Sequence, residues 1–62
     1  MLDDEDRRFY AEVVRRASLM FGPPPRAIVS KCREKPIMDA RQACVYVLTK
    51  HGESHNRIAE YF

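Results

Sequence analysis

The sequence predicts an all-α fold, a small bundle of about four helices in a single domain over residues 1–62. Apolar residues recur at spacings of three and four in two long segments, as on one face of a helix. Glycine, proline and short polar residues separate these segments, where helices begin and end. No segment alternates apolar and polar residues as a half-buried strand does.

The first helix is expected from about Asp4 to Phe21. Asp3 or Asp4 can cap it, and the acidic N-terminal segment, residues 1–6, complements the positive end of the helix. Gly22 suits the C-terminal cap, and the proline after it cannot continue the helix. The expected apolar stripe consists of Phe9, Tyr10, Val13, Val14, Ala17, Met20 and Phe21.

A short second helix is expected at about residues 25–30, because proline is tolerated at a first helical position. Ile28 should be its buried residue. A polar, basic loop is expected at residues 31–36, and the third helix at about residues 37–50. The expected core face of the third helix consists of Ala40, Ala43, Cys44, Val47 and Leu48.

The end of the chain resembles half of a known motif. Gly52 should end the third helix, and Ser54 should cap a fourth helix that turns Ile58, Ala59 and Phe62 inward. An Ile-Ala pair followed by aromatic residues is typical of the first helix of a helix-turn-helix. Because the sequence ends before a turn and a recognition helix, we expect an incomplete helix-turn-helix.

The net charge of +2 conceals a basic region. Residues 26–50 contain six basic and two acidic residues, a local charge of +4. A solvated helix face or a polyanion partner explains this charge. No apolar run approaches the roughly 20 residues of a membrane span, and the acidic N-terminus does not resemble a signal peptide. We therefore expect a cytoplasmic protein with no membrane partner.

The sequence gives little support to metal binding or catalysis. Eleven residues separate Cys32 from Cys44, whereas zinc sites use cysteines two to four residues apart. With only two glycines, the chain has no phosphate-binding glycine-rich loop. We expect no metal ligands, no cofactor and no catalytic residues, so the protein should not be an enzyme.

The basic loop offers a different kind of site. Lys31, Arg33 and Lys35 cluster between two short helices, and Arg41 and Gln42 follow in the next helix, away from its apolar face. Such a surface would present an arginine to a minor groove and several donors to the phosphate backbone.

Three stretches, in order and without gaps, resemble the C-terminal DNA-binding domain of DnaA, the bacterial chromosomal replication initiator. The resemblance covers about residues 13–62. The stretches are Ser30-Lys31-Cys32-Arg33-Glu34-Lys35, similar to the basic loop of the family, Ala40-Arg41-Gln42-Ala43, similar to the start of its long helix, and Ser54 through Ile58-Ala59 to Phe62, similar to the first helix of its helix-turn-helix.

The resemblance implies a Trp-repressor-like fold that binds short boxes in double-stranded DNA at a replication origin, in the nucleoid. It implies that Arg33 enters the minor groove. It implies two further sets of residues near the DNA backbone: Lys35, Arg41 and Gln42, and Ser54 and His55 at the start of the last helix. Cys32 in place of an arginine and the added charge of Glu34 depart from the family and should weaken phosphate contact.

Two alternatives remain at this point. The chain can be a protein-interaction or transcription-regulatory module, in which an exposed apolar surface near Ile58 and Phe62 supports self-association or a protein partner. It can also be a truncated product without a function of its own.

Overall fold

The computed structural model describes residues 2–62, which form four helices and no strand. The helices are α1 (Asp4–Phe21), α2 (Pro25–Ile28), α3 (Lys35–Lys50) and α4 (His55–Tyr61). The predicted all-α fold of about four helices is confirmed. None of these four helices combines the length and the apolar character needed to cross a membrane.

Helix α1 begins and ends where the sequence predicts. The Asp3 carboxylate accepts a hydrogen bond of 2.8 Å from the backbone N–H of Asp6, which satisfies one of the unpaired N–H groups of the first turn. At the other end, Gly22 has a φ of 102°, and its N–H donates to the Ser18 carbonyl at 2.9 Å. This positive φ favours glycine at the cap.

Helix α2 is two residues shorter than predicted. The Ser30 hydroxyl donates to the carbonyl of Ala27 at 2.6 Å and accepts a hydrogen bond from the N–H of Cys32 at 3.2 Å. Such local bonds offer the backbone an alternative to helical pairing. They turn the chain out of α2 and into the basic loop.

Helix α3 begins at Lys35, two residues earlier than predicted. Pro36 lies in its first turn, where the missing N–H of proline costs no helical hydrogen bond. The basic loop therefore spans residues 31–34, and Lys35 belongs to the helix.

The core has two adjoining parts. The first joins α1, α2 and α3 through Val14, Ala17, Ile28, Ala40 and Cys44. The second joins the N-terminal segment, α1, α3 and α4 through Leu2, Tyr10, Leu48 and Ile58. Helices α1 and α3 are antiparallel, since Phe9 contacts His51 while Val13, further along α1, lies beside Cys44, earlier in α3.

Several predicted core positions are exposed. Met20, Phe21 and Val47 have 81%, 43% and 39% of their surface exposed. Ala59, expected to point inward, is exposed too. The apolar stripes of α1 and α3 are wider than the area that α2 covers, so one edge of each stripe remains in solvent.

The prediction of an exposed apolar surface near Ile58 and Phe62 is wrong for Ile58. This side chain is only 5% exposed, because Leu2 and Tyr10 pack in the same cluster and cover it. Phe62 is half-buried against both parts of the core. The large exposed apolar side chains lie elsewhere, mainly at the C-terminal end of α1 and on the outer side of α3.

Candidate nucleic-acid interface

Short-range hydrogen bonds shape the corner between α3 and α4. Gly52 has a φ of 91°, which favours glycine, and follows directly after the cap of α3. The Ser54 hydroxyl accepts a hydrogen bond of 3.2 Å from the N–H of Arg57 and caps α4 as predicted. The local signals in the sequence therefore identify this corner correctly.

Arg41 fixes the basic loop to α3. Its Nε donates to the carbonyl of Ile28 at 2.9 Å, and its Nη2 donates to the carbonyls of Ser30 at 2.5 Å and Cys32 at 3.0 Å. The planar guanidinium suits this task, because it presents several donors in a fixed arrangement. The half-buried Arg41 side chain thus links the end of α2, the basic loop and α3.

Lys31 and Arg33 project from the loop that Arg41 holds. Both side chains are exposed, and neither makes an ion pair with any residue from 2 to 62. Together with Arg41 they line a shallow depression of about 430 Å³. The remaining lining residues are Ser30, Met38 and Phe62. Three of the seven predicted site residues therefore meet on one surface.

The other four predicted site residues lie outside this depression. Lys35 is highly exposed, and its Nζ lies 3.7 Å from a carboxylate oxygen of Asp39, which offsets its charge. Gln42 is exposed on α3. Ser54 and His55 lie at the N-terminal end of α4, about 10 Å from its C-terminal end by the helical rise.

The two departures from the DnaA pattern both lie in the basic loop. Glu34 is exposed at the cap of α3, and its side chain makes no capping hydrogen bond. Cys32 is half-buried, and its backbone groups bond to Ser30 and Arg41. The loop therefore keeps its shape through backbone contacts, with one carboxylate beside two cationic side chains.

A second group of polar contacts, around Arg57, was not predicted from the sequence. Arg57 Nε donates to Glu53 Oε1 at 3.1 Å, and Arg57 Nη2 donates to Asp6 Oδ2. The Tyr10 hydroxyl donates to the same Glu53 oxygen at 2.7 Å. The spacing of four between Glu53 and Arg57 is a weak signal for their pair. Asp6 lies 51 residues from Arg57, and no local pattern relates them.

This cluster changes the protonation of its members. The hydrogen bond from Arg57 lowers the pKa of Asp6 below its usual 3.8. The hydrogen bonds from Tyr10 and then Arg57 lower the pKa of Glu53 below 4.5. Burial and then the hydrogen bond to Glu53 raise the pKa of Tyr10 to about 12. At neutral pH, two carboxylates therefore offset the charge of Arg57.

Comparison with protein-family models, curated proteins and solved structures finds no match to this chain. Within residues 2–62, no group of three His, Cys, Asp or Glu side chains is arranged to hold a metal ion.

Proposed function

We propose that the protein binds double-stranded DNA through the basic loop, as a relative of the C-terminal domain of DnaA. In this proposal α3, the corner at Gly52 and α4 correspond to the first part of a Trp-repressor-like helix-turn-helix. The role is initiation of DNA replication or its regulation, at the nucleoid in the bacterial cytoplasm. The main support is the bridge from Arg41 to three backbone carbonyls.

The bridge supports the proposal because its acceptors are neutral. A carbonyl oxygen orients a guanidinium without cancelling its charge, so Arg41 adds to the positive potential of Lys31 and Arg33. Three cationic groups around one depression attract the phosphate backbone and make binding sensitive to salt. Arg41 itself is a positioning residue, whereas Lys31 and Arg33 are exposed to a ligand.

Arg33 is the proposed source of preference among DNA sequences. An exposed arginine on a loop can enter a narrow AT-rich minor groove, where the negative potential is strongest. Lys35, Gln42, Ser54 and His55 would add contacts to the backbone beside the depression. These polar contacts contribute affinity with little sequence preference.

Fluorescence anisotropy of two labelled duplexes tests the proposal. One carries a DnaA-box sequence and the other a scrambled sequence, each at about 50 and 200 mM salt. We expect binding to both at low salt, weaker binding at high salt and a preference for the box. Arg33→Ala should remove the preference and reduce the salt slope by about one unit.

Arg8→Ala is the matched control, because it removes the same charge from an exposed position at the opposite end of α1 from the basic loop. It should leave the preference for the box unchanged. Equal losses of preference for the box in Arg33→Ala and Arg8→Ala would contradict the role assigned to Arg33. Absence of binding to either duplex at 50 mM salt would overturn the proposed function as a whole.

An interaction module is the second candidate function, and one observation favours it. Large apolar side chains of α1 and α3 remain exposed on one side of the bundle, as on surfaces that bind other proteins.

A further inference from the structure

An apolar groove of about 440 Å³ runs between α1 and α3. On α1, the spacing of Val13, Ala17 and Met20 continues one helical stripe along the groove wall. Its other apolar lining residues are Phe21, Ala43, Cys44, Tyr46 and Val47. Cys44 forms part of the buried core, whereas Met20 and Tyr46 are 81% and 64% exposed. The groove thus has a buried apolar floor between exposed side chains.

Positive charge flanks this groove on both helices. Arg16 lines it from α1, with a side chain that is 74% exposed. Arg16 shares the carboxylate of Glu12 with Arg15, so one negative charge faces two positive charges. On α3, the Lys50 ammonium lies 5.5 Å from the centre of the Tyr46 ring. An occupant with carboxylates at its edges would meet opposite charge on either side.

The same charges disfavour a second copy of this chain as the occupant. In a twofold dimer the same patch meets itself, so the cationic groups beside the groove of one copy would approach those of the other. Like charges brought together oppose association, whereas opposite charges favour the encounter. The groove is therefore better suited to a different, acidic partner.

We propose that the groove between α1 and α3 binds a short amphipathic helix of a partner protein. The partner helix carries apolar side chains on one face and Asp or Glu beside them. Val13 to Met20 spans about 10 Å, the length of two helical turns, which matches apolar residues spaced as in helix-in-groove recognition. The contact is small, so we expect a Kd of about 10–100 μM.

Three synthetic peptides of about 15 residues test this binding by NMR titration of the labelled protein. The first has leucine on one helical face and glutamate beside it, the second replaces the glutamates with lysine, and the third disperses the leucines of the first. The glutamate peptide should shift the amide signals of the groove residues. The lysine and dispersed peptides should bind at least about tenfold more weakly at 50 mM salt.

Two neighbouring residues provide a matched pair of variants. Met20 lines the groove, whereas Leu19, which is 75% exposed, does not line it. Met20→Glu should raise the Kd of the glutamate peptide about tenfold, and Leu19→Glu should change it less than twofold. Neither substitution affects the core, so both proteins should keep the thermal midpoint of the wild type.

A second pair tests the charge alone. Arg16→Gln should weaken binding of the glutamate peptide more than Arg15→Gln does, because only Arg16 lines the groove. Equal binding of the glutamate and lysine peptides, or equal effects within both variant pairs, would overturn the proposal. So would a concentration-dependent mass in light scattering that Met20→Glu abolishes, since it would assign the groove to a second copy. The groove does not include the basic loop, so failure of DNA binding leaves this test unaffected.

Discussion

Arg41 and Arg57 are both half-buried arginines that join distant parts of the chain, but their acceptors differ. Arg41 donates only to backbone carbonyls, at the end of α2 and in the basic loop. Arg57 donates to the carboxylates of Glu53 and Asp6. Both guanidinium groups are charged, but carboxylates offset the charge of Arg57 and leave that of Arg41 uncompensated.

This difference explains how a chain with a small net charge has a strongly basic surface around the basic loop. Around the basic loop, Arg41 adds its charge to those of Lys31 and Arg33. Around α4, the negative charges of Asp6 and Glu53 exceed that of Arg57. Arginine thus supports a binding surface in one region, whereas in the other it joins α4 to the first turn of α1.

Removing Arg41 should have the largest effect on stability. Arg41→Ala leaves three carbonyl groups without their donor, and we expect a loss of about 2–3 kcal/mol in the free energy of unfolding. A domain of this length has roughly 3–9 kcal/mol in total. Arg41→Lys should recover only part of the loss, because an ammonium cannot reproduce the planar donor arrangement. Urea unfolding measures both variants.

Gln42→Ala is the control for this experiment, since Gln42 is the exposed neighbour of Arg41 in α3. It should change the free energy of unfolding by less than about 0.5 kcal/mol. Similar losses in Arg41→Ala and Gln42→Ala would show that the carbonyl bridge does not stabilise the loop.

Tyr10→Phe should have a smaller effect, with a distinctive pH dependence. Loss of the hydrogen bond to Glu53 should cost about 1 kcal/mol at pH 7. The pKa of Tyr10 is raised from 10.0 to about 12, so its contribution is complete below pH 10 and is lost as the pH rises towards 12. The thermal midpoints of the two proteins should therefore converge over this range.

The exposed Tyr46 provides the control for this substitution. Tyr46→Phe should leave the thermal midpoint at pH 7 unchanged, because the Tyr46 hydroxyl has no hydrogen bond within residues 2–62. A constant difference between wild type and Tyr10→Phe from pH 8 to about 12 would contradict the assignment.

The sequence predicts those parts of the fold that depend on neighbouring residues. The bounds of α1 and the Ser54 cap follow from short polar residues and glycine at fixed offsets. Periodicity identifies the apolar side of a helix, but it does not show how much of that side another helix covers. For this reason the pattern predicts Met20 and Val47 in the core, although both are exposed.

The candidate site is less predictable because its main contacts are not local. The sequence identifies Lys31 and Arg33 as exposed cations in a loop, since no apolar pattern includes them. It gives no sign that Arg41 turns to backbone carbonyls, which every residue has. The contact of Asp6 with Arg57 likewise depends on how α1 and α4 pack.

Arg57→Met should have the smallest effect on stability, present at neutral pH and lost at acidic pH. The pKa values of Asp6 and Glu53 are lowered in the folded protein. Their contribution is therefore complete above their usual values of 3.8 and 4.5, and it is lost as the pH falls through the lowered values. In Arg57→Met this decline should be shallower, although Tyr10 still donates to Glu53. Thermal midpoints of both proteins from pH 7 to about 2.5 measure this decline in stability.

Salt distinguishes the two arginines directly. High ionic strength screens the exposed part of the pairs that Arg57 makes with carboxylates, so the effect of Arg57→Met should shrink between about 0.05 and 1 M salt. The effect of Arg41→Ala should persist, because its acceptors carry no charge. Arg8→Met, which removes an exposed cation that pairs with no residue from 2 to 62, controls for the change in net charge. Equal salt dependence of Arg41→Ala and Arg57→Met would refute the distinction between an arginine with neutral acceptors and one whose charge is offset by carboxylates.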